Sequence, residues 1–420
     1  MCWWYSFPDA TNSDGTVALM QAIRLRWVAI AVLLFSGTLN YLDRQLLAAV
    51  SETLKIEFHL NNQQYGEIVS VFSIAYAAIA PLAGLFIDRV GLNIGLSLAV
   101  GVWSLAGAAT GMAHSFRSLL VVRTVLATAE AAGQPAIGKA NGVYLLASEF
   151  ALGTAVNQVG LSIGGIAAPL VIGFMEPRYG WRSGFVLCGV LGLVWIPIWW
   201  WTAKKIPGRA TSTHDRRERL RDLFKDRRVW GFVFAPLFIM SLYTLWTNWT
   251  TQYFVHEWHL PQDVANRTYA WIPPVFAGLG GFGGGWAAFF LIRRGMTPIA
   301  ARLRVCWIAA ALLTLTAAIP MAPSPRISAA AVSLSFFVLV FISGNLYALP
   351  IDLFGPERAA FGVSVLTCSY GIMQALLSPQ IGKIVDRVGF PTVCYTLAAM
   401  PLIGVAILKF TARERVEPSN

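Results

Sequence analysis

Two short stretches put ionisable side chains inside otherwise apolar runs. The first is Asn40-Tyr41-Leu42-Asp43-Arg44, within the run 27–50. The second is Arg123, Ala127, Glu130 and Gln134, within or beside the run 117–139. A charge near a bilayer centre costs about 3 kcal/mol even on the lenient insertion scale, so such residues usually have a task. On a helix Asn40, Tyr41 and Arg44 share one face, while Asp43 points about 100° away from Arg44. Arg123, Ala127, Glu130 and Gln134 stand at i, i+4, i+7 and i+11, which makes one polar stripe with a small residue between the charges. The pattern fits the wall of a buried aqueous cavity that meets an anion. Two plainer readings compete: an Asp–Arg pair just past the membrane boundary, or four charges paired only to hold two helices together.

The elements that position these stripes must be membrane helices. Hydrophobic residues make up 56% of the 420 and charged residues only 13%, with a mean hydropathy of +0.59. A soluble domain carries about 25% charged residues, so this chain lacks the polar surface to live in water. Five cysteines stand at 2, 188, 306, 368 and 394 without a CxxC pair; four lie in apolar runs, where a thiol acts as a small hydrophobe. Residues 1–21 hold no base ahead of an apolar core, so they do not read as a cleavable signal.

Twelve apolar runs can be counted, near 27–50, 66–87, 92–113, 117–139, 150–174, 183–202, 229–254, 270–292, 304–322, 327–350, 359–382 and 390–410. These runs are far longer than the ~10-residue strands of a membrane barrel. The expected fold is all-α and polytopic, with twelve transmembrane helices in two six-helix bundles. The divisions are a cytoplasmic segment 1–26, a bundle 27–202, a basic loop 203–228, a bundle 229–410 and a tail 411–420. Two parallel halves joined by a basic loop suggest a transporter plan. With the N-terminus inside, 22 of the 32 Lys and Arg residues lie in cytoplasmic segments, 8 lie outside, and Arg44 and Arg123 lie within spans. This bias places both termini in the cytoplasm.

Three tempting motifs fail in context. Gly278-Leu279-Gly280-Gly281-Phe282-Gly283 spells GxGxxG inside an apolar run with no preceding strand, which favours close helix packing over dinucleotide binding. His256-Glu257-Trp258-His259 spaces its histidines three apart, whereas a zinc HExxH needs four on one helical face. The stretch 214–228 mixes bases and acids, as a solvated or membrane-surface helix would, and is not read as a nucleic-acid site. No metal and no cofactor is expected, and no nucleophile–base pair suggests an enzyme.

The second half is polar but neutral. Trp246, Asn248, Trp249, Gln252 and Tyr253 lie along span seven. Asn345 and Tyr347 lie in span ten, and Ser369, Tyr370, Gln374 and Ser378 in span eleven. Hydroxyls, amides and indoles suit a small polar or polyhydroxylated ligand held by hydrogen bonds and ring stacking. Ionic chemistry in one half and neutral recognition in the other is the division that follows.

Asn40-Tyr41-Leu42-Asp43-Arg44-Gln45 after Arg26-Trp27 resembles the first span of the anion:cation symporter family within the major facilitator superfamily. Gly84-Leu85-Phe86-Ile87-Asp88-Arg89-Val90-Gly91 resembles that superfamily's loop motif between spans two and three. Tyr179-Gly180-Trp181-Arg182, Leu291-Ile292-Arg293-Arg294-Gly295 and Leu349-Pro350-Ile351-Asp352-Leu353-Phe354 are similar to the same family, especially its hexuronate transporters. The resemblance implies proton-driven import of an organic anion, commonly a sugar acid, by alternating access. It implies that Arg44 and Arg123 hold the carboxylate, that Tyr41 orients the site and that Asp43 and Glu130 carry the proton. It also implies gating by Asp88 and Arg89. The chain departs from the pattern at Ala288-Phe289, at Val143-Tyr144-Leu145 with Glu149-Phe150, and at Gln252, where the family has lysine.

The physical logic agrees with that scheme. Arginine's planar fork gives a carboxylate two charge-assisted hydrogen bonds and never loses its proton. A carboxylate kept partly from water can load and unload a proton across a modest pH step. An organic-anion exchanger or uniporter of the same fold, or a ligand sensor that moves nothing, would use the same residues. The expected partners are a small organic anion, protons and the lipid bilayer, with a monomer in the inner (plasma) membrane. Trp249, Gln252, Tyr253, Asn345, Tyr347, Tyr370 and Gln374 complete the expected substrate contacts.

Overall fold

The computed structural model describes residues 13–146, 149–206, 226–354 and 356–412, and no strand occurs among them. The basic loop between residues 207 and 225 and the tails 1–12 and 413–420 lie outside the described residues. In chain order the first bundle holds α1 (Ser13–Ala49), α2 (Ser51–Phe58), α3 (Asn62–Val90), α4 (Leu92–Thr110), α5 (Phe116–Glu130), α6 (Gly133–Tyr144), α7 (Phe150–Tyr179) and α8 (Arg182–Lys205). The second holds α9 (Arg227–Ile239), α10 (Ser241–Asn248), α11 (Thr250–Trp258), α12 (Gln262–Ala265), a π turn at Asn266–Ala270, and α13 (Ile272–Arg293). It continues with α14 (Pro298–Leu313), a 3-10 turn at Thr314–Met321, α15 (Pro325–Phe354), α16 (Pro356–Ala398) and α17 (Met400–Thr411).

Nine of the described helices are long and apolar enough to cross a membrane, and the pair α9 and α10, bent by 42°, makes a tenth. One of the nine, Gly362–Thr411, is 50 residues long, which at 1.5 Å per residue is roughly 75 Å, more than twice a ~30 Å hydrocarbon core. It divides at Gly389, whose φ of 80° no helix can hold. The charged span four is α5 followed by α6. The architecture is therefore the twelve-span one expected, with two of its crossings broken where an unbroken run was anticipated. Span four breaks at Ala131–Ala132, directly after Glu130, and span seven breaks at Met240 and again at Trp249.

Local chemistry sets the helix ends. Asn61 caps α3 through Gln64 N, and Gln64 returns the bond, a capping box; Ser115 and Ser118 do the same for α5. These boxes satisfy donors that have no partner within the helix. The glycine string of span eight packs helices, as expected. A Cβ built on Gly280 or Gly284 would lie 2.2 or 2.1 Å from the Phe337 or Phe341 carbonyl oxygen of α15. Only hydrogen at those positions lets two backbones come so close.

The bundles meet most firmly on the face that carries α2. There Gln262 accepts from Glu52 N (2.8 Å) and donates to Glu176 (2.8 and 2.9 Å). Asn266 donates to the last carbonyl of α1, Ala49 O, at 2.8 Å. Tyr65 donates to Asn248 O at 2.9 Å and meets the Trp249 ring edge-on at 5.0 Å. On the face that carries Leu25 and Thr411, ion pairs run within a bundle: Arg26–Glu149 (4.0 Å), Lys139–Asp88 (2.9 Å) and Arg302–Asp352.

Candidate functional site

The two charged stripes converge. Arg44 on α1 donates from Nη2 to Glu130 Oε2 on α5 at 3.1 Å, with Arg44 24% exposed and Glu130 fully buried. The other Glu130 oxygen has no hydrogen-bond partner among the described residues. Arg123 is 1% exposed, and its Nε and Nη1 likewise find no partner. Asp43 is equally buried, and both of its oxygens lack one. It points away from Arg44, as the 100° offset requires, and packs on α4, where a Cβ built on Gly107 would sit 2.2 Å from Asp43 Oδ2. Asp43 and Glu130 both act electrostatically on Arg123, as does Arg44. The cluster is two cations and two carboxylates.

An aromatic platform seats both arginines. The Arg44 and Arg123 guanidinium carbons lie 4.7 and 4.9 Å from the Phe72 ring centre, and Arg44 also lies 4.8 Å from that of Tyr76. Phe72 and Tyr76 stack on each other at 6.2 Å, one turn apart on α3. Guanidinium over a ring gains roughly 0.5–2 kcal/mol, most when water is excluded. The sequence reading missed both residues; their signal was an i, i+4 aromatic pair in an apolar run.

Tyr41 joins the halves. Its hydroxyl lies 3.1 Å from that of Tyr243 on α10. Tyr243 meets Tyr370 edge-on at 5.6 Å and Phe336 at 5.4 Å. Tyr243 was not anticipated, although it begins the polar face that continues at Trp246. Tyr41, Arg44, Tyr76, Tyr243, Tyr347, Tyr370 and Gln374 are all half-buried, the exposure expected of a wall facing an interior space. Hydroxyls and rings from the second bundle thus stand opposite charges from the first.

Three expected contacts, Trp249, Tyr253 and Asn345, are engaged by neighbouring helices. Trp249 is fully buried in the seal against Tyr65 and Phe390. Tyr253 packs on Trp246, Phe254 and Phe390 and hydrogen-bonds Ser328 at 2.9 Å. Asn345 is buried and donates to Gly284 O and Phe341 O at 2.9 and 3.1 Å, tying α13 to α15. Gln252 is buried with neither end of its amide bonded. Asp88 is exposed and paired with Lys139 of its own bundle, which also donates to Ile87 O at 3.0 Å; Arg89 is exposed. His256 and His259 end α11, and no group of three or more metal-ligating side chains occurs among the described residues.

The family model described as Major Facilitator Superfamily matches residues 33–378. The chain belongs to that superfamily. Membership makes it a multi-pass membrane transporter rather than an enzyme. Among curated relatives of this superfamily member, a hexuronate transporter of Escherichia coli (strain K12) is 26% identical over 405 residues, covering 91% of this chain and 93% of the relative. A galacturonate transporter of Dickeya chrysanthemi is 27% identical over 281 residues, 62% of this chain and 81% of the relative. Among solved structures, a bacterial homologue of the human lysosomal transporter Spinster, inward-facing and unoccupied, matches with a TM-score of 0.72 at 19% identity. It covers 92% of this chain and 95% of the other. That likeness supports the fold alone.

Proposed function

We propose that the chain is a proton-coupled importer of a small organic anion, a sugar acid such as a hexuronate or hexonate, working by alternating access. The observation that carries this reading is Arg123: a buried guanidinium with two nitrogens unbonded. A desolvated guanidinium with unbonded nitrogens is costly, and an arriving carboxylate supplies the bidentate hydrogen bonds its geometry fits. The names of the relatives support a sugar acid, and the tyrosines and Gln374 opposite the charges supply hydroxyl and amide partners for its hydroxyls.

Charge counting gives the coupling. Two arginines and two carboxylates are balanced. Protonating Asp43 or Glu130 leaves one net positive charge, which one monocarboxylate neutralises. Protonated Glu130 also stops competing for Arg44, the bond it makes in the present state, and frees that fork for substrate. Proton and anion therefore favour each other's binding, and the empty, deprotonated cluster resets on its own internal pair. Tyr41 and Tyr76 orient the carboxylate at the arginines.

In this scheme the α2 face is the outside of the inner membrane, both termini are cytoplasmic, and the present arrangement is closed to the outside. Asp88 and Arg89 act as the gate on the cytoplasmic face in the opposite state. The test is uptake by purified protein in liposomes of a labelled panel of uronates, aldonates and aromatic acids, with and without an acid-outside pH gradient. Gradient-dependent accumulation of a sugar acid is expected. Failure of every carboxylate tested, with the protein folded and inserted, would overturn the proposal.

A further inference from the structure

One eight-residue pattern occurs twice in the chain. Gly84-Leu85-Phe86-Ile87-Asp88-Arg89-Val90-Gly91 closes α3, and Gly382-Lys383-Ile384-Val385-Asp386-Arg387-Val388-Gly389 stands in α16. Both share Gly-x-x-x-Asp-Arg-Val-Gly, and both end on a glycine with φ near +90° or +80°, a turn that a side chain would strain. The first copy lies on the termini face, the second on the α2 face, and α3 packs against α16 across the bundle interface. The copies are in unlike states. Asp88 stays with Lys139 in its own bundle. Asp386 crosses to the other.

Asp386 Oδ1 accepts from Asn62 N at 3.1 Å and from Asn62 Nδ2 at 2.7 Å, and Oδ2 accepts from Gln63 N at 3.0 Å. These backbone donors belong to the first turn of α3, which has no intrahelical acceptors for them and carries the helix's partial positive charge. Asn61 takes the next donor, Gln64 N, at 2.8 Å. The start of α3 is thus satisfied partly by its own cap and partly by a carboxylate of the opposite bundle. Lys55, itself buried, donates to Asn62 Oδ1 at 2.6 Å and so turns the amide nitrogen toward Asp386. Below this contact the two helices touch through backbone. A Cβ on Gly66 would lie 2.3 Å from Ser378 O, and one on Gly382 2.1 Å from Asn62 O. Parting the bundles strips the donors of their acceptor at the same moment that it opens this seam.

We propose that Asp386 is the latch that holds the α2 face shut, capping the first turn of α3 from the opposite bundle. It sets how often that face opens, and the Asp88 copy is disengaged while it is closed. The proposal rests on the alternating-access reading, but its readout needs neither substrate nor proton gradient, so it can fail while transport stands.

The experiment places a single cysteine at Ser378, fully buried in the seam, in protein whose five native cysteines are replaced. The rate of its alkylation by a small maleimide, in purified and monodisperse protein, reports the fraction of time the seam is open. Asp386→Ala should raise that rate about fivefold, the usual worth of a helix cap. Asp386→Asn, which keeps the shape and one acceptor, should raise it less. Arg387→Ala, an exposed charge on the same turn, should leave it within about twofold, since an exposed substitution usually changes free energy by no more than about 0.5 kcal/mol. Unchanged alkylation in folded Asp386→Ala or Asp386→Asn protein overturns the latch, as does an equal rise in Arg387→Ala.

Discussion

Replacing Arg123 by lysine keeps the charge and removes the fork. In the site Arg123 is 1% exposed, its Nε and Nη1 have no partner, and its guanidinium lies 4.9 Å from the Phe72 ring centre. Lysine retains the Coulomb interaction with Asp43 and Glu130, so the cluster stays balanced and the fold should hold. What it loses is one of two charge-assisted hydrogen bonds to an incoming carboxylate, about 2–3 kcal/mol in a desolvated site. That corresponds to roughly 30- to 160-fold weaker affinity. Loss of the flat contact with Phe72 adds to this and does not offset it. The assay is titration of galacturonate or glucuronate into purified wild-type and Arg123→Lys protein, by calorimetry or by ligand-induced change in melting temperature. Affinity within about threefold of wild type would mean less than ~0.7 kcal/mol from the fork, and would assign Arg123 to holding helices together.

Gly107→Ala removes no functional group, yet its methyl would sit 2.2 Å from Asp43 Oδ2; overpacking costs about 1–3 kcal/mol. Proton-driven uptake should fall at least about fivefold, whereas Gly138→Ala, with nothing within 4 Å, should be neutral. Arg44→Ala should abolish both gradient-driven uptake and substrate exchange in liposomes, since it removes the anion's partner in every step. On the α2 face, hydrogen bonds from Arg182, and then from Trp181, hold the Glu57 carboxyl below its usual value of 4.5. That stabilisation is present above pH 4.5 and is lost as pH falls through the folded value. The melting-temperature gap between wild type and Glu57→Gln should therefore shrink in acid, and a gap that widens would contradict the assignment. Reporter fusions at Asn420 and within residues 211–214 should both read cytoplasmic; a periplasmic signal from either would break the proposed orientation.

The charged half of the site was legible because charge in a membrane span is rare and helical geometry is regular. Arg44 and Glu130 meet as their stripes require, and Asp43 turns to another helix because it is one residue from Arg44. The neutral half was harder to read. Trp249, Tyr253 and Asn345 are polar residues in apolar spans, but each spends its polarity or surface on a neighbouring helix, which is the commoner fate of such residues in a membrane. Phe72 and Tyr76 escaped notice for the converse reason, since an aromatic pair among aliphatics looks like core until two arginines settle on it. The break at Ala131–Ala132 is announced by Gly133 and Pro135 just after it, since a proline cannot donate to the carbonyl four residues back. The break at Trp249 has no proline or glycine beside it and comes from packing, which a single span's sequence does not encode. Asp386 gave no signal of its role, because its partners, Asn62 and Gln63, lie more than 300 residues away.

The proposed role of Glu130 as the proton carrier can be tested with one pair of assays on one mutant. Glu130→Gln copies the shape and neutrality of the protonated acid and cannot release a proton. In liposomes containing folded mutant protein, labelled sugar acid is followed first against unlabelled sugar acid inside, then under an acid-outside pH gradient alone. Exchange should survive, because that half-cycle runs with the proton site always occupied, while accumulation under the gradient should collapse. Accumulation of substrate against its gradient by Glu130→Gln would contradict the account and move the proton to Asp43.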